Sequence, residues 1–288
     1  MESRPPVTAP GLGAFLAPGP LSFTEFVGTH APHLLPTPAA QAAGSGAGLD
    51  VPHGTTIVAL TFADGVVIAG DRRATSGNVI AQRDIEKVFI TDSYSAVGIA
   101  GSAGLALQMV RLYSADLEHY EKLEGVPLSF DGKANKLAQS VAANLSAALQ
   151  GFVVVPLFVG YDPEEGGGRI VNYDATGGRY DEHLGYNAVG SGSIFAKSAL
   201  KKTYDPAADL AGAVRTAVGA LYDAADDDTA TGLPDLTRGL FPIVVSITGA
   251  EGAVKRPNDE IEAVVREIVA QRTQSPSTGN AATRDGGA

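Results

Sequence analysis

Hydrophobic positions change their rhythm several times along the 288 residues, and each rhythm predicts an element. Thr55 to Phe62 and Val66 to Gly70 are apolar, β-branched runs joined through Ala63-Asp64-Gly65, the pattern of a β-hairpin. Lys87 to Thr91 and Ser95 to Ala100 repeat it around Asp92-Ser93-Tyr94. Past Gly101 to Gly104 the spacing of Leu105, Met109, Leu112 and Leu117 becomes helical. A second helix is predicted over Lys133 to Gln150, with Ala134, Leu137, Ala138, Val141, Leu145 and Leu149 in one stripe and Gly151 as its stop. Strands return at Phe152 to Tyr161, Arg169 to Asp174 and Tyr186 to Gly190. Helices follow at Ser193 to Tyr204 and Leu210 to Ala225, then a polar loop from Asp226 to Phe241 and a buried strand over Pro242 to Thr248. Residues 258 to 272 read as a charged amphipathic helix.

Strands, two helices, strands, two helices is not the strict alternation of a parallel doubly wound sheet. The order predicts an α+β protein with antiparallel sheets covered by helices, and no repeat of solenoid length is visible. The flanks differ from this body. Residues 1 to 54 are rich in Pro, Gly and Ala with only Glu2, Arg4, Glu25 and Asp50 charged, so they make a poor core and are expected to hold at most one short helix near Ser22 to Val27. Residues 273 to 288 are Ser-, Thr- and Gly-rich and are expected to be disordered.

Composition narrows the function. A net charge of -11 argues against nucleic acid and anionic membranes as partners. Cysteine is absent, which removes disulfides, thiol nucleophiles and thiolate metal sites and fits a cytoplasmic protein. Glu2 offsets Arg4, and Pro18 and Pro20 interrupt the following apolar residues, so a secretory signal is not expected. The longest apolar run, Phe152 to Val159, is too short to span a bilayer.

Taken singly, the candidate chemical groups are ambiguous. Gly54-Thr55-Thr56 reads as a cleavage junction before a strand or simply as a loop entering one. Asp71 and Arg73 follow a strand and read as a solvated turn, and Lys87 reads as a charge opening a strand. Asp226 to Asp228 would suit a hard cation but lack the Gly and distal Glu of a calcium loop, so no metal is expected. Ser191-Gly192-Ser193 is either an anion cradle or a helix cap. Histidine is scarce beyond the leader, which leaves a Ser-His-Asp triad poorly supplied.

In order along the chain, however, Gly54-Thr55-Thr56, Gly70-Asp71-Arg72-Arg73-Ala74-Thr75, Lys87 on the third strand, Gly101 after Gly98-Ile99-Ala100, Gly190-Ser191-Gly192-Ser193 and Asp228-Thr229-Ala230-Thr231-Gly232 resemble proteasome β subunits. The resemblance covers about Thr55 to Ile268, and the Pro-rich leader looks most like the actinobacterial type. It implies a four-layer αββα sandwich of the N-terminal-nucleophile hydrolases. It also implies a propeptide over residues 1–54, a catalytic domain over 55–272, and self-cleavage between Gly54 and Thr55. Thr55 would then be nucleophile and, through its freed α-amine, base, needing neither Cys nor His. Asp71 and Lys87 would stand beside it, the Gly101 N–H would face the oxyanion, and Ser191, Asp228 and Thr231 would support the amine and a water. Arg73 matches a position that supports the turn after the active-site strand. Ala74, Thr75, Ile99 and Ala103 match substrate-binding positions, with Ala74, Ile99 and Ala103 forming an apolar specificity pocket. No cofactor is implied. The partners implied are α subunits and other β subunits in stacked seven-membered rings (α7β7β7α7), a ring ATPase, and proteins tagged with a small ubiquitin-like protein. Against this stand a small-molecule amidase of the same nucleophile class, which would not need Asp71, Lys87 and the Asp228 to Thr231 group together, and an inactive α-type ring subunit, which would lack Thr55 and Lys87.

Overall fold

Side chains alternate across a strand, so a strand buried throughout needs a layer on each face. Strands β1 (Thr56–Phe62) and β2 (Gly65–Gly70) are buried at every position but Thr61. Val58, Leu60, Phe62, Val67 and Ala69 enter one apolar cluster, while Ile57, Ala59, Val66 and Ile68 enter another. The structure, a computed structural model, describes residues 54–274.

Two five-stranded antiparallel sheets supply the layers. The first runs β10 (Tyr186–Gly190), β1, β2, β11 (Ile243–Thr248), β12 (Gly252–Lys255). The second runs β5 (Val88–Asp92), β6 (Ser95–Gly101), β7 (Val154–Asp162), β8 (Gly167–Tyr173), β9 (Arg179–Asp181). A separate hairpin pairs β3 (Ala74–Ser76) with β4 (Val79–Gln82). Between the sheets lie Ile57, Ile68, Leu157, Val159, Ile170, Val245 and Ile247. Helices α1 (Ala103–Glu124) and α2 (Phe130–Ala143) cover the second sheet, with Met109, Tyr113, Leu137 and Val141 packed on Val97, Phe158 and Val171.

Helices α4 (Ser193–Thr203), α5 (Leu210–Asp227) and α6 (Asn258–Gln274) cover the first sheet. Helix α5 presents Ala213, Ala217, Ala220 and Ala224 as well as Val214, Val218 and Leu221 to it. Small side chains let that helix lie close to β1 and β2, which fixes where its C-terminal end, carrying Asp228, arrives. This is the expected αββα sandwich. Among the described residues no helix is long and apolar enough to cross a membrane.

Several sequence expectations shift. The predicted helix over Lys133 to Gln150 is two pieces: α2 starts earlier, at Phe130 with Ser129 as its cap, and ends at Ala143, and a single turn, α3 (Leu145–Ala148), follows. The Asn144 side chain donates to Ser140 O at 2.9 Å, a local bond that competes with helix continuation. Leu149, expected in the buried stripe, is consequently 82% exposed. Four strands of three or four residues, β3, β4, β9 and β12, went unseen because so few positions carry no readable alternation. Two of them intervene before Lys87, which therefore precedes the fifth strand by one residue instead of lying on the third. Helix α6 continues through Thr273 and Gln274, two residues into the expected tail, and Thr273 Oγ1 donates to Val269 O at 2.8 Å within the last turn. The rest of that tail and the leader with its Ser22 to Val27 patch lie outside the described residues.

Candidate active site

The antiparallel register Ile57 to Gly70 sets Asp71 beside Thr56 as the two strands leave the sheet. Backbone and side chain then lock reciprocally: Asp71 N–H donates to Thr56 O at 3.2 Å, and Thr56 N–H donates to Asp71 Oδ1 at 2.9 Å. Lys87 comes from the other sheet, where its carbonyl accepts Ile99 N–H at 2.9 Å. Ser191 leaves β10 with its N–H on Thr55 O at 2.9 Å. Asp228 is the C-terminal cap of α5. Four separate segments thus converge on the stretch from Gly54 to Thr56.

The Lys87 ammonium donates to Asp71 Oδ1 at 2.8 Å, to Gly54 O at 2.9 Å and to Arg73 O. Both charged side chains are almost wholly buried, at 4% and 0% exposure. Such a pair persists only when its remaining polar valences are filled. Here Asp71 Oδ2 accepts Arg73 N–H at 2.9 Å and Gly232 N–H at 2.8 Å, so the carboxylate takes four donors. Burial pulls the Lys87 pKa below that of a free lysine, the attraction of Asp71 opposes it, and Arg73 adds to the lowering.

The Gly54 carbonyl oxygen receives two donors. Thr55 Oγ1 lies 2.6 Å away and Lys87 Nζ 2.9 Å away. Gly54 has φ +129°, a conformation side chains rarely adopt, and a Cβ there would stand 2.5 Å from Thr75 Oγ1. Only glycine holds this carbonyl in place without strain.

On the far side, Asp228 Oδ2 accepts Ser191 Oγ and Thr231 Oγ1, each at 2.6 Å, and Oδ1 accepts Ala230 N–H at 3.1 Å. Partial burial alone would raise the Asp228 pKa, but these hydrogen bonds, helped by the Lys87 charge, hold it below the usual carboxylate value. Among the described residues no cluster of three or more His, Asp or Glu is placed to hold a metal ion.

A cleft opens between Thr55 and the second sheet, lined in part by Gly54, Lys87, Ala74, Ile99, Gly101 and Ala103. Gly101 has φ +110°, and a Cβ would collide with Val153 O. Of the expected residues, Thr55, Asp71, Lys87, Ser191, Asp228 and Thr231 share one continuous hydrogen-bond network, while Gly101, Ala74, Ile99 and Ala103 share the cleft with Thr55. Thr75 does not line that cleft and packs against Gly54 instead.

Sequence reasoning missed Ile85, Glu86, Phe89, Ala106 and Leu107, which also line it. Periodicity held the signal for most of them: Ile85 and Phe89 flank Lys87 at two-residue spacing, and Ala106 and Leu107 follow Ala103 by three and four. It also missed the hydroxyl of Thr56, for which nothing local gave a sign.

Known proteins resemble this chain along most of its length. A family model described as proteasome subunit matches residues 51–234. A proteasome subunit beta of Saccharopolyspora erythraea is 59% identical over 267 residues, covering 91% of this chain and 93% of that protein. Others from Saccharomonospora viridis and Rhodococcus opacus are 56% and 58% identical, covering 91% and 88% of this chain and 94% and 90% of theirs. A chain matched by the family model over most of its length, and by relatives this similar across nearly all of theirs, belongs to the proteasome subunit family.

Proposed function

We propose that this chain is the catalytic β subunit of a 20S proteasome core, a threonine peptidase that frees its own nucleophile by cutting Gly54-Thr55. The observation that carries the reading is the Gly54 carbonyl oxygen, which takes the Thr55 hydroxyl at 2.6 Å and the Lys87 ammonium at 2.9 Å.

In the uncut chain, Thr55 Oγ attacks the Gly54 carbonyl carbon and Lys87 steadies the charge developing on its oxygen. The C–N bond breaks, the hydroxyl proton ends on the released nitrogen, and Gly54 is left as an ester on Thr55 Oγ. Water hydrolyses the ester, releasing residues 1–54 as the propeptide and exposing the α-amine of Thr55. That amine, with an ordinary pKa of about 7.7–8.0, then takes the Thr55 hydroxyl proton at neutral pH. The alkoxide attacks a substrate carbonyl, the Gly101 N–H receives the oxyanion, the proton passes to the leaving amine, and water resolves the acyl-enzyme. The buried Lys87 charge favours the deprotonated form of its neighbours, Asp71 holds Lys87 in place, and Arg73 supports the turn after β2. Ser191, Asp228 and Thr231 hold the amine and the hydrolytic water.

The cleft at Thr55 is walled by Ala74, Ile99, Ala103 and Phe89, which favours cleavage after apolar residues. Residues 55–274, through the end of α6, form the catalytic domain, with a short C-terminal tail beyond. The chain acts in α7β7β7α7 barrels with α subunits, in the cytoplasm, on tagged proteins delivered by a ring ATPase. Intact-mass analysis of the particle purified with its α partner tests the reading. The expected chain begins at Thr55, and an active particle whose β chains all retain residues 1–54 would overturn it.

A further inference from the structure

Thr56 is wholly buried and has no part in the chemistry described so far. Its hydroxyl lies 2.6 Å from Thr231 Oγ1 and accepts Gly192 N–H at 3.0 Å. Either threonine oxygen, taken alone, is a possible donor in that contact. Asp228 decides the polarity. An ionised carboxylate has no proton to give, so the single proton of Thr231 Oγ1 points along the 2.6 Å line to Asp228 Oδ2. The Thr56 proton therefore points at Thr231, and Gly192 fills the Thr56 oxygen from behind. The result is one directed chain, Gly192 N–H to Thr56 O–H to Thr231 O–H to Asp228.

From this chain we infer that Thr56 is a positioning residue for catalysis, whose hydroxyl aligns Thr231 and Asp228 and through them tunes the Thr55 amine. The inference rests on the reading of Thr55 as nucleophile and base. Packing alone does not call for a hydroxyl here, because valine fills the same volume at the start of a strand as well as threonine does. The surroundings are built around the oxygen instead: a Cβ on Gly192 would stand 2.5 Å from Thr56 Oγ1, 2.6 Å from Thr231 Oγ1 and 3.1 Å from Asp228 Oδ2. Ser191, the other hydroxyl donor to Asp228 Oδ2, carries its N–H on the Thr55 carbonyl, so the chain ends within one residue of the reactive group.

Successive donors polarise one another, so losing the Thr56 proton weakens the bond from Thr231 to Asp228. Less neutralised, Asp228 favours the protonated form of the neighbouring amine, and the free base needed for attack appears only at higher pH. The other charges around this point stay in place: Lys87 from the second sheet, Asp71 and Arg73 after β2, and exposed Asp226 and Asp227 at the end of α5. Glu86 at the cleft remains paired with Lys255 at 2.6 Å.

The test compares Thr56→Val, Thr56→Ala and Thr56→Ser with wild type and Thr55→Ala, as assembled particles with the α partner. Turnover of a short apolar fluorogenic peptide is read per leader-free site, across pH. Removing one neutral hydrogen bond from the chain is expected to lower kcat about fivefold in Thr56→Val, with KM little changed. The acid limb of the pH profile moves up, and Thr56→Ser restores both. A block in leader removal that Thr56→Ser relieves also supports the inference. Wild-type kcat and acid limb in Thr56→Val overturn it, as does Thr56→Ser failing equally. Loss of assembly in Thr56→Val and Thr56→Ala, with Thr56→Ser normal, assigns the hydroxyl to folding and overturns it too. Activity in Thr55→Ala would instead overturn the threonine reading, which keeps the two failures apart.

Discussion

Replacing Asp71 by Asn keeps its shape and removes its charge, and the structure says what that change must break. The carboxylate accepts Thr56 N–H and Lys87 on one oxygen and Arg73 N–H and Gly232 N–H on the other. An amide has one acceptor oxygen, so in either orientation its NH2 faces two donors. If it faces Thr56 and Lys87, a backbone N–H and a buried ammonium lose their acceptor; if it faces Arg73 and Gly232, two backbone N–H groups do. Each orphaned donor costs about 1–3 kcal/mol, and an uncompensated buried charge about 3–5 kcal/mol. We therefore expect a loss of about 3–5 kcal/mol, a large share of the 5–15 kcal/mol typical of a folded domain.

A second effect has a definite sign. Burial already lowers the Lys87 pKa and Asp71 opposes that shift, so without Asp71 it falls further. Lysine is charged below its pKa, hence activity that needs the charge disappears at lower pH as pH rises. The assays are urea unfolding of the full-length chain and the pH–rate profile of assembled, leader-free particles. Asp71→Asn with an unchanged unfolding midpoint and an unmoved basic limb would refute the reasoning.

Lys87→Ala should inactivate assembled particles even when the leader is removed artificially to expose Thr55. Lys87→Arg should fail as well, because a planar guanidinium does not fit a site that holds a compact ammonium between Asp71, Gly54 O and Arg73 O; normal turnover per isolated particle in either variant would contradict this. Gly54→Ala should slow leader release about tenfold or more, since φ +129° strains any side chain by about 1–3 kcal/mol and the carbonyl relaxes away from Thr55 and Lys87. Intact mass over time reads that rate, and wild-type release would show that the Gly54 geometry is unimportant.

The long buried strands were legible as continuous apolar, β-branched runs and the main helices by their helical spacing, which together gave antiparallel sheets covered by helices; the four-layer αββα order came from the family resemblance. Where an element is three or four residues long, as in β3 or β9, no period can establish itself. The break after Ala143 was hidden because Leu145 and Leu149 continue the apolar spacing, whereas the stop depends on how one Asn side chain bonds. At the site, individual groups were ambiguous and became meaningful only as an ordered set. Contacts such as Gly232 N–H on Asp71, or Thr56 on Thr231, join residues more than 150 positions apart, and only folding reveals them. Lys87 shows the same limit from the other side: its type was readable, but its burial and three acceptors were not.

In the proposed mechanism the Thr55 hydroxyl is the group acylated by substrate. This is tested most directly by treating the assembled particle with a peptide β-lactone, which transfers an acyl group to a nucleophilic oxygen, and mapping the adduct by peptide mass spectrometry. One adduct per β chain is expected, on Oγ of an N-terminal Thr55, formed in step with loss of activity and absent from Thr55→Ala. Inactivation with the adduct on Ser191, Thr56 or any other residue, and Thr55 unmodified, would contradict it.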